Sequence, residues 1–387
     1  MTYAMAGLGP VDDTEPSTDG QEPAPSPVEV GRTGWWRRFR RHRLAMLGLI
    51  VTILIYLVAL LADFVAPHSP TDMDADRSYA PPQTWVWQQE QPDGSTAFGP
   101  AVLGYTLTVD PESLKPSYAV NPDDVIALGF FTRSEPYHLL GVIPMDRVLF
   151  GPVDPEERVY LLGADRNGRD VLSRIIHGTQ ISMTIGLAGV ALAFVLGLVL
   201  GGISGYVGGW VDTGIQRVIE LFMSIPTLPL WLGLAAALPD YWTAMQRYLA
   251  ITVILAIIAW TELARVVRGK LLSVRREDYV VAAALDGNGP GRIVGRHMLP
   301  SLMSHLIASL TLTIPAMILA ETSLSFLGLG LQAPAVSWGV LLQEAQNIRT
   351  VSTAPWLMAP GVAVIIAVLS LNFIGDGLRD AADPYST

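Results

Sequence analysis

Three glutamates stand where a carboxylate is hardest to keep. Glu220, Glu262 and Glu321 lie in or beside long apolar runs, and a charged group there must face protein, water or a counter-charge. Each has the chemistry of an ion or proton site. Glu321 reads in two ways: as a pathway or gate residue, or as a carboxylate hydrogen-bonded at the outer membrane boundary beside Thr322 and Ser323. Glu220 and Glu262 lie near Arg217 and Arg265 and read as paired interfacial charges or as steps of a proton relay. The other reactive types do not assemble. His42, His68, His138, His177, His297 and His305 are scattered, with no pair at a helical metal-ligand spacing. Asp165, Asn167 and Asp170 invite a calcium loop, but the spacing is not that of an EF-hand and no distal Glu follows where one is needed. The absence of Cys excludes thiol catalysis, disulfides and Cys-based metal sites. The two lysines, Lys115 and Lys270, lie outside any Gly-x-x-x-x-Gly-Lys-Ser/Thr loop. No catalytic, cofactor or metal site is therefore expected, and any ATP that drives this chain is expected to be bound by another.

These residues sit in a chain built for a bilayer. Half of the 387 residues are hydrophobic and only 16% are charged, with a mean hydropathy of +0.38. That composition marks a multi-span membrane protein rather than a soluble globule. The net charge of −10 is uneven along the chain and says little about partners. Apolar stretches at about residues 44–61, 181–203, 218–238, 248–266, 302–326 and 356–373 are each near the ~20 residues needed to cross hydrocarbon. Helices are expected there, because each segment must satisfy its own backbone hydrogen bonds. Gly186, Gly189, Gly197, Gly201 and Gly202 put small residues along the second stretch, which favours close helix contact. Trp231 and Trp260 read as packing rather than substrate stacking.

Four regions follow in order. Residues 1–34 are rich in Pro, Ser, Gly, Asp and Glu and are expected to be a disordered cytoplasmic tail; they do not have the pattern of a cleaved signal peptide. Residues 35–65 hold the basic cluster from Trp35 to Arg43 and the first span. Such a cluster can bind nucleic acid, but one that abuts a span reads as a topology anchor that holds the N-terminus in the cytoplasm. Residues 66–176 offer no span. Short alternating runs such as 102–109 look like strands, and Trp85, Trp87, Tyr105, Phe130, Phe131 and Tyr137 argue for an ordered, mixed or β insert outside the cytoplasmic membrane. Residues 177–387 form a five-helix core with a polar, basic-flanked loop at 269–301. Six spans return the C-terminus to the cytoplasm. Arg217, Arg265, Arg268, Lys270, Arg275, Arg276, Arg292, Arg296 and Arg379 then fall inside, against Arg247 and Arg349 in the short outer loops.

Within that loop, residues 277–300 read as two short helices joined by a tight turn. Gly287 suits a left-handed helix stop, and Pro290 suits the first turn of the next helix. Ala282, Ala283 and Ala284 give a slim face that could enter a groove on a partner. The stretch resembles the cytoplasmic coupling loop of ATP-binding-cassette (ABC) import permeases. Val281-Ala282-Ala283, Gly287 and Leu299-Pro300 take the places of its Glu-Ala-Ala, Gly and Leu-Pro; Val281 departs from the Glu. Gly163-Ala164-Asp165, Gly168-Arg169-Asp170 and Ser173-Arg174 resemble the signature before the second span in permeases of the oligopeptide and dipeptide family, with Ala164 where Thr is usual. The run from Ala320 to Gln332 with Ser337-Trp338-Gly339 resembles the end of their fifth span. The run from Leu371 to Asp380, with Asp383-Pro384, resembles their C-terminal signature. The resemblance covers residues from about 35 to 387.

This resemblance implies an all-α integral membrane protein of the type I importer permease fold, with six transmembrane helices and an extracytoplasmic insert between the first two. It implies a multi-pass subunit of the bacterial inner membrane, both termini cytoplasmic, that takes up oligopeptides or dipeptides by alternating access. The implied partners are a second homologous permease, two cytoplasmic ATP-binding subunits that hold ATP and Mg, and an extracytoplasmic peptide-binding lipoprotein, with no nucleic acid. Asp278, Tyr279, Ala282, Ala283, Gly287, Arg296, His297 and Pro300 would form the ATPase-coupling loop, and Glu321 is the candidate pathway residue. The same architecture could import nickel complexes, opines or other small solutes. An ion-gradient-driven transporter with Glu321, Glu220 or Glu262 as its ion site, or a membrane-anchored binding module with the insert as its active part, are the other readings.

Overall fold

The structure, a computed structural model, describes residues 30–90, 96–109 and 116–382. The tail expected over residues 1–34 and the Asp383-Pro384 signature lie outside the described residues, except that α1 (Val30–Arg41) begins within the tail. The chain turns at His42, whose Nδ1 accepts the Ala45 N–H at 3.1 Å and so caps α2 (Arg43–Leu60). The first span inverts the pattern of a soluble helix. It buries Ala45, Gly48, Thr52 and Ala59 and exposes Leu47, Ile50, Ile53, Leu54, Leu57 and Leu60. Small residues inward and large apolar ones outward suit a helix solvated by lipid.

A short helix, α3 (Ala62–Val65), leads into the insert. The insert is an antiparallel sheet in the order β1 (Trp85–Glu90), β2 (Thr96–Val109), β3 (Pro116–Leu139) and β4 (Ile143–Pro152). The run 102–109 expected as a strand lies in β2. Val102, Ile126, Leu128 and Val159 form one small core, and Ala80, Tyr105, Tyr160 and Ala164 another.

Asp170 caps the long helix α4 (Val171–Val207) by accepting the Ser173 N–H. At 1.5 Å per residue such a helix is roughly 55 Å long, so it extends well past the expected span. The third expected span is not one straight helix: α5 (Gly209–Ser224) and α6 (Thr227–Ala236) meet at 86°. Pro226 lacks an N–H and forces Ile225 out of the helical region (φ −94°, ψ 129°). The proline was visible in sequence, but hydropathy alone ran through it. Beyond lie α7 (Ala244–Val274), α8 (Asp278–Leu285), α9 (Pro290–Arg292), a π-type turn over Ile293–Met298, and α10 (Leu299–Phe326). The chain closes with α11 (Trp338–Gln343), α12 (Ile348–Thr353) and α13 (Ala359–Ala382). Five described helices are long and apolar enough to cross a membrane, or six if the bent pair counts as one span.

Two ends of the bundle can be told apart by contacts. α4 and α7 run in the same direction, with Gly189 near Thr252, Gly197 on Leu263 and Gly205 on Arg268. A Cβ on Gly201 would lie 2.5 Å from the Ala264 carbonyl oxygen, so only glycine lets these backbones approach; Gly202 faces open space instead. Phe39, Ala45, Ile374 and Ala381 pack together, which puts α1 and the end of α13 side by side. Gly375 meets Leu312, so α10 starts at that same end. The hairpin at 278–298 therefore shares one end with both described termini, and the sheet shares the other with α11.

His68 ties the insert to this frame. Its N–H donates to Ser173 Oγ at 3.0 Å, and its ring Nε2 accepts the Val159 N–H at 3.0 Å. Burial, aided by Arg158 and opposed by Asp72, lowers its pKa from 6.5 to about 4. Between about pH 4 and 6.5 the unfolded chain therefore binds more protons at this site, so its contribution is complete above pH 6.5 and is lost as the pH falls toward 4. Melting of wild type and His68→Gln in detergent at pH 7.5 and 4.5 should show a wild-type advantage at pH 7.5 that shrinks at pH 4.5. An advantage independent of pH would contradict the neutral, buried ring.

Candidate functional site

The hairpin is built from its turn outward. Gly287 adopts φ +77°; its N–H donates to the Ala284 carbonyl at 3.1 Å, and the Asn288 N–H to the Ala283 carbonyl at 3.3 Å. These paired bonds are a Schellman stop, and they need a residue at ease in the left-handed region. Asn288 Nδ2 adds a second bond to the Ala283 oxygen at 2.9 Å. Pro290 occupies the first turn of α9. Asp278 lies in the first turn of α8, where the helix dipole favours an acid. Arg296 and Pro300 are exposed and His297 is half-buried.

The alanine face differs from expectation. Ala283 is buried, because Val280 and Ala283 are three residues apart and share the inward side of α8. The outward face carries Tyr279, Val281, Ala282 and Leu285, and Leu285 is 83% exposed. Val280, with Ile293 and Met298 of the π-turn, joins Leu263, Val267 and Leu271 of α7 and Leu302 and Leu306 of α10 in one apolar cluster. Sequence reasoning missed these inward residues; their helical spacing inside a polar loop was the available signal. The hairpin is thus packed onto the ends of two spans, with Tyr279, Val281 and Leu285 left exposed on its outer face.

Glu321 is far from this loop, near the other end of α10. Its carboxylate is fully buried and is held by its own chain. Ser325 Oγ and Ser337 Oγ each donate to Oε1 at 2.8 Å, and Ser182 Oγ donates to Oε2 at 3.4 Å. Each hydroxyl also accepts a backbone N–H: Ser325 from Leu331, Ser337 from Val340, and Ser182 from Trp338. The three hydroxyl protons are therefore directed to the carboxylate. Ser323, its neighbour in sequence, is turned away, its Oγ donating to the Leu319 carbonyl at 2.7 Å. Residues four apart on one helix turn share a face, which brings Ser325 to Glu321 and leaves Ser323 on another face. The knot joins α4, α10 and the N-terminus of α11.

Beside it lies a second buried cluster. Asp165 Oδ2 accepts from Arg169 Nε at 2.7 Å and from Arg174 Nη1. Arg169 and Arg174 also reach Glu344 Oε1 at 3.5 Å. The acids that suggested a calcium loop are thus answered by two guanidiniums and by a helix cap. Burial raises the Asp170 pKa to about 6 against its Ser173 hydrogen bonds. Burial, with Asp165 adding, also raises that of Glu344.

Arg217 and Glu220 form an exposed pair at 2.7 Å. Glu262, in contrast, makes no ion pair with Arg265 among the described residues. It lines a cavity of about 490 Å³ at the α5–α6 break, together with Thr227, Trp231, Ser309 and Thr313. Trp231 therefore borders a cavity, with its indole N–H unpartnered among the described residues, whereas Trp260 is buried against Phe222.

Comparison with known proteins gives a consistent result. Residues 171–385 match the family described as binding-protein-dependent transport system inner membrane component. Residues 33–82 match the N-terminal TM domain of oligopeptide transport permease C. The sheet lies between the two matched segments. The chain is 38% identical over 227 residues to a putative peptide permease protein of Brucella ovis, covering 58% of this chain and 73% of that one. It is 28% identical over 352 residues to the dipeptide transport system permease protein DppC of Bacillus subtilis, covering 90% and 84%. Among solved structures, a chain of the inward-facing MetNI methionine ABC transporter aligns with TM-score 0.42 and 19% identity, over 54% of this chain and 97% of that one.

Proposed function

The chain belongs to the family of binding-protein-dependent transport system inner membrane components, and from that membership we propose that it is the permease subunit of an ABC importer for peptides. The observation that carries the reading is the hairpin at 278–298, packed through Val280, Ile293 and Met298 onto α7 and α10. A partner that moved this hairpin would move two spans with it. Six crossings are supported by the common direction of α4 and α7: the chain must recross between them, and only α5 and α6 lie there. The clustering of Arg37, Arg38, Arg40, Arg41 and Arg43 beside the hairpin's end supports a cytoplasmic face there, with the sheet outside.

ATP and Mg are held by two cytoplasmic ATPase subunits, whose closure pushes the outward face of α8. A second permease completes the pathway, and a binding lipoprotein delivers the substrate. The pathway wall lies at the α5–α6 break, where Glu262, Thr227, Ser309 and Thr313 face space rather than protein. Peptides are favoured as substrate because the relatives in Brucella ovis and Bacillus subtilis are named peptide and dipeptide permeases. Nickel complexes, opines or other small solutes remain the alternative cargo for the same architecture.

Affinity purification from native membranes, followed by mass spectrometry, tests the assembly. A second permease, two ATPases and a lipid-anchored binding protein should co-purify. Recovery of this chain alone, with uptake that survives ATP depletion while an ion gradient persists, would overturn the reading in favour of gradient-driven transport through Glu262.

A further inference from the structure

The β3–β4 hairpin ends in a turn whose chemistry does not suit water. Leu140, Val142 and Ile143 are 51%, 74% and 49% exposed. From Tyr137 to Met145 the only side chain that can carry positive charge is His138, and there is no acid. Leu140 and Gly141 both have positive φ, at +55° and +74°, and the turn is closed by Gly141 N–H to His138 O at 3.0 Å. In water such positions are normally given to Asn, Asp or Gly. Here a leucine accepts an unfavourable backbone conformation and still leaves half its surface exposed.

The position of the hairpin identifies its solvent. Near its base, Gly151 lies close to Pro67. Further along, Phe131 packs on Phe64, with ring centroids 6.1 Å apart. Further still, Tyr137 lines a cleft with Asp63 and His177. The neighbours thus step back from residue 67 to 63, toward the end of the first span at Leu60. His177 pairs with Asp63 at 3.2 Å and already lies within α4, between its start and its expected span. Tyr137 is therefore level with the place where α2 leaves the bilayer. At about 3.3 Å per residue, the turn lies roughly 7–10 Å beyond it. Behind the turn come Tyr137, then Arg133 and Arg147 opposite each other in register, and then Phe131. An apolar tip, a tyrosine and then a basic pair, in that order, follow the depth profile of a membrane interface.

We infer that the turn Leu139–Ile143 dips into the lipid leaflet beside α2 and makes the insert a membrane-seated element. α2 also carries exposed apolar side chains at this end, Leu57 and Leu60. The assignment of the outer leaflet rests on the orientation proposed above; the lipid contact itself does not.

The chain has no cysteine, so single labels can be placed directly. The test uses the assembled complex in lipid nanodiscs, with Val142→Cys or Leu140→Cys carrying a bimane. The control is Phe98→Cys, on the same sheet and 81% exposed in the parent. The expected result is blue-shifted emission at the turn, at least twofold quenching by lipids spin-labelled high in the acyl chain, and iodide quenching several-fold below the control. Iodide quenching equal to the control without lipid quenching would overturn the inference. So would shielding that appears only when the binding protein is added, which would make the turn a protein contact. Reaction of Phe98→Cys with an impermeant maleimide on intact cells reads the orientation separately. Lipid quenching without that reaction would sustain the contact and reverse the leaflet.

Discussion

Gly287→Val leaves the protein in the membrane and reduces ATP-driven uptake to below about a tenth. The effect is conformational, not steric. A Cβ at Gly287 meets nothing within 4 Å, but the backbone sits at φ +77°. A β-branched residue held there costs about 1–3 kcal/mol. The chain relieves that strain by giving up the Schellman bonds to Ala283 and Ala284, and α8 then loses its fixed angle to α9. Val280 and Ile293 no longer seat together against α7 and α10. Span packing is remote from the turn, so assembly should survive. Gly287→Asn, which tolerates the left-handed region, should retain most activity. Uptake and substrate-stimulated ATPase of the reconstituted complex measure both variants. Undiminished uptake by the valine variant would remove the coupling role from this turn.

The second large effect is on stability. In Glu321→Ala three buried hydroxyl protons, on Ser182, Ser325 and Ser337, lose their acceptor together and a cavity is left behind. A buried donor left without its acceptor costs about 1–3 kcal/mol, and such costs are not additive, so a loss of about 2–5 kcal/mol is expected. Glu321→Gln should lose much less. Its carbonyl oxygen can still receive both bonds now made to Oε1, and only the longer Ser182 bond is forfeited. Thermal unfolding of the purified protein should therefore rank wild type, Gln and Ala in descending order, with Ala well below the other two. If the alanine variant were as stable as wild type but failed to transport, the structural knot would be the wrong account and a pathway role would return.

The two expectations differ in how far they could be read from sequence. Gly287, Pro290 and the helix–turn–helix are local. A left-handed stop and a proline-started helix depend on residues a few positions apart. The same is true of the spans, since twenty apolar residues in a row suffice to require a helix in lipid. Even the break at Pro226 was a local signal that hydropathy averaging concealed.

Glu321 shows the other kind of information. Its helical neighbour Ser325 was predictable from spacing, but Ser182 and Ser337 lie 139 and 16 residues away in the chain. Likewise, the direction in which Ala283 faces depended on which side of α8 met Ile293, and Glu262 was freed for the cavity by the bend between α5 and α6. The sequence by itself determined a membrane protein with five or six apolar helices, its basic cluster, the strand-forming segment and the glycine turn at Gly287, because each follows from short-range periodicity or backbone chemistry. Only the tertiary structure decided which carboxylate is enclosed, which faces space, and how the β3–β4 hairpin folds back along α3. Those outcomes depend on side chains brought together from distant helices, where one inward rotation satisfies a buried carboxyl group and another leaves it exposed.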